Sequence, residues 1–187
     1  MTIGVLSFHG DVAEHLALLH SLNVKALEVR SVEDLHLVDR LIIPGGESTV
    51  ISRFLAETGV GDAIRQRVKE KALPVYGTCA GAILLARKAT GKNAPKTLGL
   101  MDIVIDRNAY GSQMQSFQAD VKITNLKKAI PVAFIRAPII TKIGRGVEVL
   151  AEFDGKPVLV KQGSLLAGTF HPETCGQSAI HEFFLSL

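Results

Sequence analysis

Three short stretches carry residue types that together make an acyl-transfer site. Between Leu73 and Ala89 the chain reads LPVYGTCAGAILLARKA, with Cys79 caught between two glycines just after an apolar run. A side chain pinned at a strand-to-helix turn projects outward, and glycines allow the sharp bend without Cβ clashes. The helix that follows points its unpaired N–H groups and the positive end of its dipole at the same spot, which favours a thiolate and lowers its pKa. Alone, Gly-x-Cys-x-Gly also describes a small buried cysteine at a tight turn.

A thiolate nucleophile needs a base, and His171 and His181 are the histidines that follow Cys79 in the chain. His181 lies in a final amphipathic stretch and reads as a packing or surface residue. His171 sits in TFHPE, at the end of an apolar run over 165–170. Strand ends of this kind are where ligand sites gather in open α/β sheets. Pro172 fixes the local backbone, and Glu173 is near enough to orient the imidazole and stabilise its protonated form. Alone, HPE also fits a strand exit with solvated polar residues; combined with GTCAG it points to a Cys79-His171-Glu173 triad.

In IIPGGES (42–48) two glycines end another strand. A glycine N–H there is unobstructed and can donate to an oxyanion together with the N–H of Ala80. Pro-Gly-Gly also makes a plain turn, and Glu47 and Ser48 also fit as capping residues of the next helix. Arg107 and Arg136 each follow an apolar strand, so each can reach the same edge and hold a carboxylate in its planar fork. Taken singly, either also fits a surface ion pair. Cys175 follows His171 by four, but no second tight Cys/His pair completes a zinc pattern, and no metal site is expected.

The elements that must position these groups alternate in the first half of the chain. Apolar runs at 3–8, 24–29, 40–46 and 73–77 read as strands. Helical spacing marks 11–22, 48–59, 60–72 and a helix beginning near Ala80. This rhythm predicts βαβ units: an α/β fold with an open, mixed, mainly parallel sheet flanked by helices. In the first helix Val12, His15, Leu16, Leu19 and Leu22 share a face, with Asp11 as N-cap and Glu14 completing a capping box. The second half, with strand-like runs at 98–108, 116–123, 131–138 and 147–170, predicts antiparallel additions, including a hairpin at Asp154-Gly155. The segment 178–187 reads as a closing helix that packs Ile180, Phe183 and Phe184 inward.

Composition bounds the rest. The 187 residues are 47% hydrophobic and 21% charged, enough for one sizeable core, so one domain over 1–187 is expected. Lys and Arg number 21 against 18 Asp and Glu, scattered rather than clustered, which asks for no nucleic-acid partner. Two distant cysteines suggest a reducing, cytoplasmic setting. The N-terminal MTIGVLSFHGD has no signal-peptide pattern, and no apolar run nears the roughly 20 residues that span a bilayer.

Taken in order, PGGES, GTCAG and FHPE resemble the class I, triad glutamine amidotransferases, a resemblance that implies a flavodoxin-like sheet. Adding IGVL, LGLMDI, RNAYGSQ, SFQAD, FIRAP and VEVLAEFDG, the chain from Ile3 to Glu173 looks like the family of glutaminase subunits of pyridoxal 5′-phosphate synthase. The resemblance implies Cys79 as nucleophile, completed by His171 and Glu173. It also implies an oxyanion hole from the backbone N–H groups of Gly46 and Ala80, and glutamine contacts from Gly46, Glu47, Ser48, Arg107, Ile135 and Arg136. The implied reaction converts L-glutamine to glutamate and ammonia through a glutamyl thioester, with no cofactor. Ammonia passes to a separate synthase subunit, the implied partner.

The chain departs from the family pattern at Phe8-His9-Gly10, where LQG is common, and at Gly111-Ser112-Gln113, where GRQ is common. The first departure bears on partner activation, because that position is expected near the oxyanion hole. Cys175 follows HPE in TCGQ and reads as incidental. A glutaminase feeding another pathway, such as imidazole glycerol phosphate synthesis, would share the triad, but the RNAYGSQ, SFQAD and FIRAP segments argue against it. A noncatalytic subunit with the same fold is disfavoured by the intact triad. A stand-alone α/β-hydrolase usually takes its acid from between nucleophile and histidine, whereas Glu173 follows His171.

Overall fold

The computed structural model describes residues 1–107, 116–124, 126 and 128–187. The first half runs β1 (Thr2–Leu6), α1 (Val12–Ser21), β2 (Lys25–Val29), α2 (Val32–His36), β3 (Arg40–Ile43), α3 (Ser48–Glu57), α4 (Val60–Lys69), β4 (Val75–Thr78) and α5 (Ala80–Leu85). Then follow β5 (Ala86–Thr90), β6 (Met101–Asp106), β7 (Phe117–Val121), β8 (Ile130–Phe134), β9 (Ile139–Ile143), β10 (Glu148–Phe153), β11 (Lys156–Gln162), β12 (Leu165–Gly168), a 3-10 turn (Glu173–Cys175) and α6 (Ala179–Ser186).

Among the described residues seven strands form the main sheet, in the order β10-β11-β12-β4-β3-β1-β2. From β12 to β2 every pairing is parallel; β10 and β11 add antiparallel strands at one edge. The hairpin between those two turns at Asp154 and Gly155, both with positive φ (50° and 67°), as a tight two-residue turn requires. The other second-half strands lie outside the main sheet: β5-β6-β9 and β7-β8 form two smaller sheets. Their apolar residues explain why, since Met101, Ile103 and Ile105 pack into the core on one face while Val121, Val132 and Phe134 pack into the core on the other.

Period-two alternation splits the central strands between those two cores. Ile3 and Val5 of β1, Ile42 of β3 and Tyr76 of β4 face one; Leu6, Leu41, Ile43 and Val75 face the other. Because β12, β4, β3 and β1 are parallel neighbours, the loops leaving their C-terminal ends emerge side by side. Those loops carry His171, Cys79, Gly45-Gly46 and His9-Asp11.

Two local expectations change. The capping box at the start of α1 does not form: the Asp11 side chain makes no cap hydrogen bond there and turns toward His171 instead. A capping box does form one helix later, at Ser31 and Asp34, where it opens α2, an element outside the expected set.

Candidate active site

Cys79 is the turn between β4 and α5, with φ 48° and ψ −100°, a backbone conformation that L side chains rarely adopt. Close approach of the flanking glycines makes the turn possible. A Cβ on Gly77 would lie 2.5 Å from the Gly81 carbonyl carbon, and one on Gly81 would lie 2.0 Å from the Ile43 oxygen. The Cys79 N–H donates to the Gly168 carbonyl (2.8 Å), which ties the turn to β12. Its thiol points across the cleft at the Ile135 carbonyl (3.8 Å).

His171 is fixed through its backbone, exchanging two hydrogen bonds with Ala133 of β8 (2.8 and 3.2 Å). Its Nδ1 lies 2.8 Å from Glu173 Oε1 and 3.1 Å from Asp11 Oδ2. Burial alone would push the imidazole down, but the hydrogen-bonded carboxylates of Asp11 and Glu173 and the neighbouring Cys79 outweigh it and push its pKa up to about 12. Asp11 is held below the usual carboxylate range, first by that hydrogen bond, against the opposing effect of burial. Burial raises Glu173 above its usual value, and His171 only partly offsets the shift.

These groups open on a cleft of about 330 Å³, the size of a small-molecule pocket, which is also lined by Gly46, Glu47, Ser48, Ala80, Arg107, Ile135 and Arg136. Every sequence-predicted site residue therefore either lines this cleft or, in the case of Glu173, holds the histidine that does. Ala80 opens α5, where the first-turn amides have no intrahelical acceptor. Gly46 has φ 143°, and a Cβ there would lie 2.8 Å from His9 Nδ1. His9 Nδ1 accepts the Glu47 N–H (3.2 Å), so His9 braces the Gly46 loop.

Glu47 serves two purposes. As N-cap of α3 its carboxylate accepts from the Thr49 N–H and hydroxyl, and it also accepts from Arg107 Nη2 (2.8 Å). Burial pushes Glu47 up, yet the bonds from Thr49 and the Arg107 charge outweigh it and hold the group below its usual value. Arg136 has φ 44°, a second strained residue facing the cleft from the segment after β8. Ser112 and its neighbours lie outside the described residues. Cys175 is a free, half-buried thiol beside Glu173.

Sequence reasoning misses three groups here. By local rules Asp11 is only a cap. His15 and His181, both fully buried, are by the same rules only positions on helix faces. The signal available for the two histidines is a polar, titratable residue on an apolar stripe.

The chain matches, over residues 5–187, the model of the SNO glutamine amidotransferase family. It is 47% identical over 187 residues to a pyridoxal 5′-phosphate synthase subunit PdxT of Pseudothermotoga lettingae, covering 100% of this chain and 95% of that protein. A Thermus thermophilus protein of the same name is 46% identical over 185 residues, covering 99% and 96%. Among solved structures, a glutamine amidotransferase superposes with a TM-score of 0.93 at 43% identity, covering 98% of this chain and 97% of that one. The glutaminase domain of CTPS from Trypanosoma brucei shares the fold, with a TM-score of 0.67 at 16% identity, covering 100% of this chain and 92% of that one.

Proposed function

The chain belongs to the SNO glutamine amidotransferase family, and from that premise we propose that Cys79, His171 and Glu173 hydrolyse the carboxamide of L-glutamine in the cleft between β4, β12 and the Gly46 loop. It is a glutaminase subunit of pyridoxal 5′-phosphate synthase, and its partner is the synthase subunit that consumes the ammonia. The roles assigned to individual residues, a single functional unit over 1–187 and a cytoplasmic setting are parts of the proposal. Among the described residues no helix is long and apolar enough to cross a membrane.

In the first half-reaction Cys79 Sγ attacks the carboxamide carbon. The developing oxyanion takes N–H bonds from Gly46 and Ala80, and protonated His171 gives its proton to the departing nitrogen, leaving a glutamyl thioester and ammonia. His171, now neutral, accepts a proton from water as that water attacks the thioester, and glutamate leaves with the thiolate restored. Glu173 and Asp11 hold Nδ1–H throughout, so the ring presents Nε2 to the reaction. Arg107, Arg136, Glu47 and Ser48 bind the amino-acid end of glutamine.

The observation that carries this reading is the convergence of a positive-φ cysteine and a carboxylate-bound histidine on one cleft. The test measures ammonia release from glutamine with and without the cognate synthase subunit, for wild type and Cys79→Ala. Partner-stimulated release that Cys79→Ala abolishes is expected. Release that persists in Cys79→Ala overturns the mechanism.

A further inference from the structure

Behind the triad lies a buried polar cluster that the reaction above does not use. His15 of α1, Thr78 at the end of β4 and His181 of α6 have no solvent exposure, and the Glu173 side chain beside them has none either. His15 Nδ1 lies 2.9 Å from His181 Nε2, and His15 Nε2 lies 3.2 Å from Thr78 Oγ1 and 3.6 Å from Glu173 Oε1. One imidazole thus touches the residue before the nucleophile, faces the triad acid, and is held by a helix from the other end of the chain.

We propose that His15, oriented by His181, is a positioning residue of the triad: its Nε2–H faces Glu173 and Thr78, and so fixes the acid and the nucleophile turn relative to His171. The proposal rests on the triad reading above.

The charge on Glu173 selects the tautomer. A carboxylate accepts only, so the His15 nitrogen turned toward it carries the proton, and His15 Nδ1 is left as an acceptor for His181 Nε2–H. His181 Nδ1 is then an acceptor, buried and without a hydrogen-bond partner among the described residues; so are Glu173 Oε2 and the Tyr76 hydroxyl, a donor. Tyr76 packs edge-on against His181 (ring centroids 5.7 Å apart) and feels the Glu173 charge, so donor and acceptors share one cluster. Burial holds both histidines neutral, His181 with a pKa pushed down to about 4. The support they give Glu173 is therefore dipolar, and His171 remains the counter-charge.

The fold itself has no need of imidazole here. Leu16 and Leu19 share the α1 face, and two buried polar rings cost more than apolar side chains unless their hydrogen bonds are made. Neither histidine lines the cleft, so neither contacts substrate.

The experiment uses the complex with the synthase subunit. His15→Leu is expected to lower kcat roughly tenfold, to leave the KM for glutamine within about twofold, and to move the acid limb of kcat/KM to higher pH. The titratable groups that face His15 (Glu173, His171 and His181) are unchanged in that variant. His15→Gln, which keeps a donor, is expected to restore most of kcat. In a Glu173→Gln background, His15→Leu is expected to cost nothing further. A folded His15→Leu with unchanged kcat and acid limb, or an effect fully additive with Glu173→Gln, overturns the proposal. Independently of activity, nitrogen-15 NMR of the wild-type chain is expected to find His15 as the Nε2–H tautomer, and an Nδ1–H tautomer overturns it even if His15→Leu does not fold. Failure of the triad reading would show differently, as turnover in Cys79→Ala.

Discussion

Asp11 Oδ2 stands 3.1 Å from His171 Nδ1, the same nitrogen that Glu173 Oε1 reaches at 2.8 Å. One N–H faces two carboxylates that arrive from opposite ends of the chain. Glu173 is enclosed, while Asp11 is about one-third exposed and lines the cleft. The two therefore differ in what they do for the imidazolium: Glu173 fixes the ring from behind, and Asp11 adds a charge from the solvent side, where water weakens it.

That difference sets an order of effects. Asp11→Asn removes a charge and keeps an acceptor, and is expected to lower kcat by roughly three- to tenfold. Glu173→Gln disturbs ring orientation in a dry site and is expected to cost roughly 100-fold or more. Steady-state glutaminase kinetics in the complex check both, and an Asp11→Asn loss equal to or larger than that of Glu173→Gln would refute the ranking.

Stability is expected to peak near neutral pH because buried histidines shift in opposite directions. An unfolded histidine titrates near 6.5. His171, raised to about 12 in the fold, contributes fully below 6.5, and its contribution is lost as pH climbs toward 12. His181, lowered to about 4, and His15, also lowered, act the other way, so stability falls as pH drops from 6.5 toward 4. Asp11, lowered from 3.8, adds stability above that value that is lost below it. Denaturation midpoints across pH 4 to 10 read both limbs. Asp11→Asn is expected to flatten the alkaline limb, and an unchanged alkaline slope in that variant would contradict the assignment.

The three residues of the proposed triad were legible as candidates because each sits in a motif whose local geometry it dictates. Gly77 and Gly81 are spaced so that α5 can close on β3 and β4, and the same closure exposes Cys79 at a strained turn. The parallel core was legible from apolar runs that alternate with helical stripes. What lay beyond reach was set by long-range contact: His15 and His181 meet across 166 residues, and nothing in either helix names the other. Asp11 satisfied every local rule for an N-cap, yet a charged partner on a neighbouring loop outcompeted the helix amides. The separate sheets built from β5 to β9 were missed because alternation gives the pleat of a strand but not its neighbour.

Gly45 gives a test of how tightly the site is packed. A Cβ there would lie 2.3 Å from His171 Cε1 and 2.6 Å from Asp11 Oδ2. Both atoms belong to the hydrogen-bonded pair, so unless the Gly45 loop itself shifts, relief displaces the imidazole or breaks the Asp11 bond. Gly45→Ala is expected to lower kcat at least roughly tenfold, at a cost of about 1–3 kcal/mol in stability. A variant with wild-type kcat would mean that the loop, not the histidine, gives way.

Arg107 and Glu47 form the last testable pair. Arg107 Nη2 donates to Glu47 Oε1 (2.8 Å) and Nη1 donates to the Asn93 carbonyl (2.6 Å), so the guanidinium is fixed at the mouth of the cleft before any substrate arrives. In the role proposed for it, a group anchored in this way holds the amino-acid end of glutamine without contacting the carboxamide, and such binding acts equally on ground state and transition state. Arg107→Ala is therefore expected to raise KM for glutamine by roughly ten- to 100-fold while kcat changes by less than about threefold. Arg107→Lys, which keeps the charge but loses the planar fork, is expected to recover only part of the affinity. Glu47→Gln should fall between them, because it loosens Arg107 while leaving an acceptor for the Thr49 amide. Kinetics over a range of glutamine concentrations separate these outcomes. A loss in kcat at unchanged KM for Arg107→Ala would move Arg107 from substrate binding to the chemistry at Cys79.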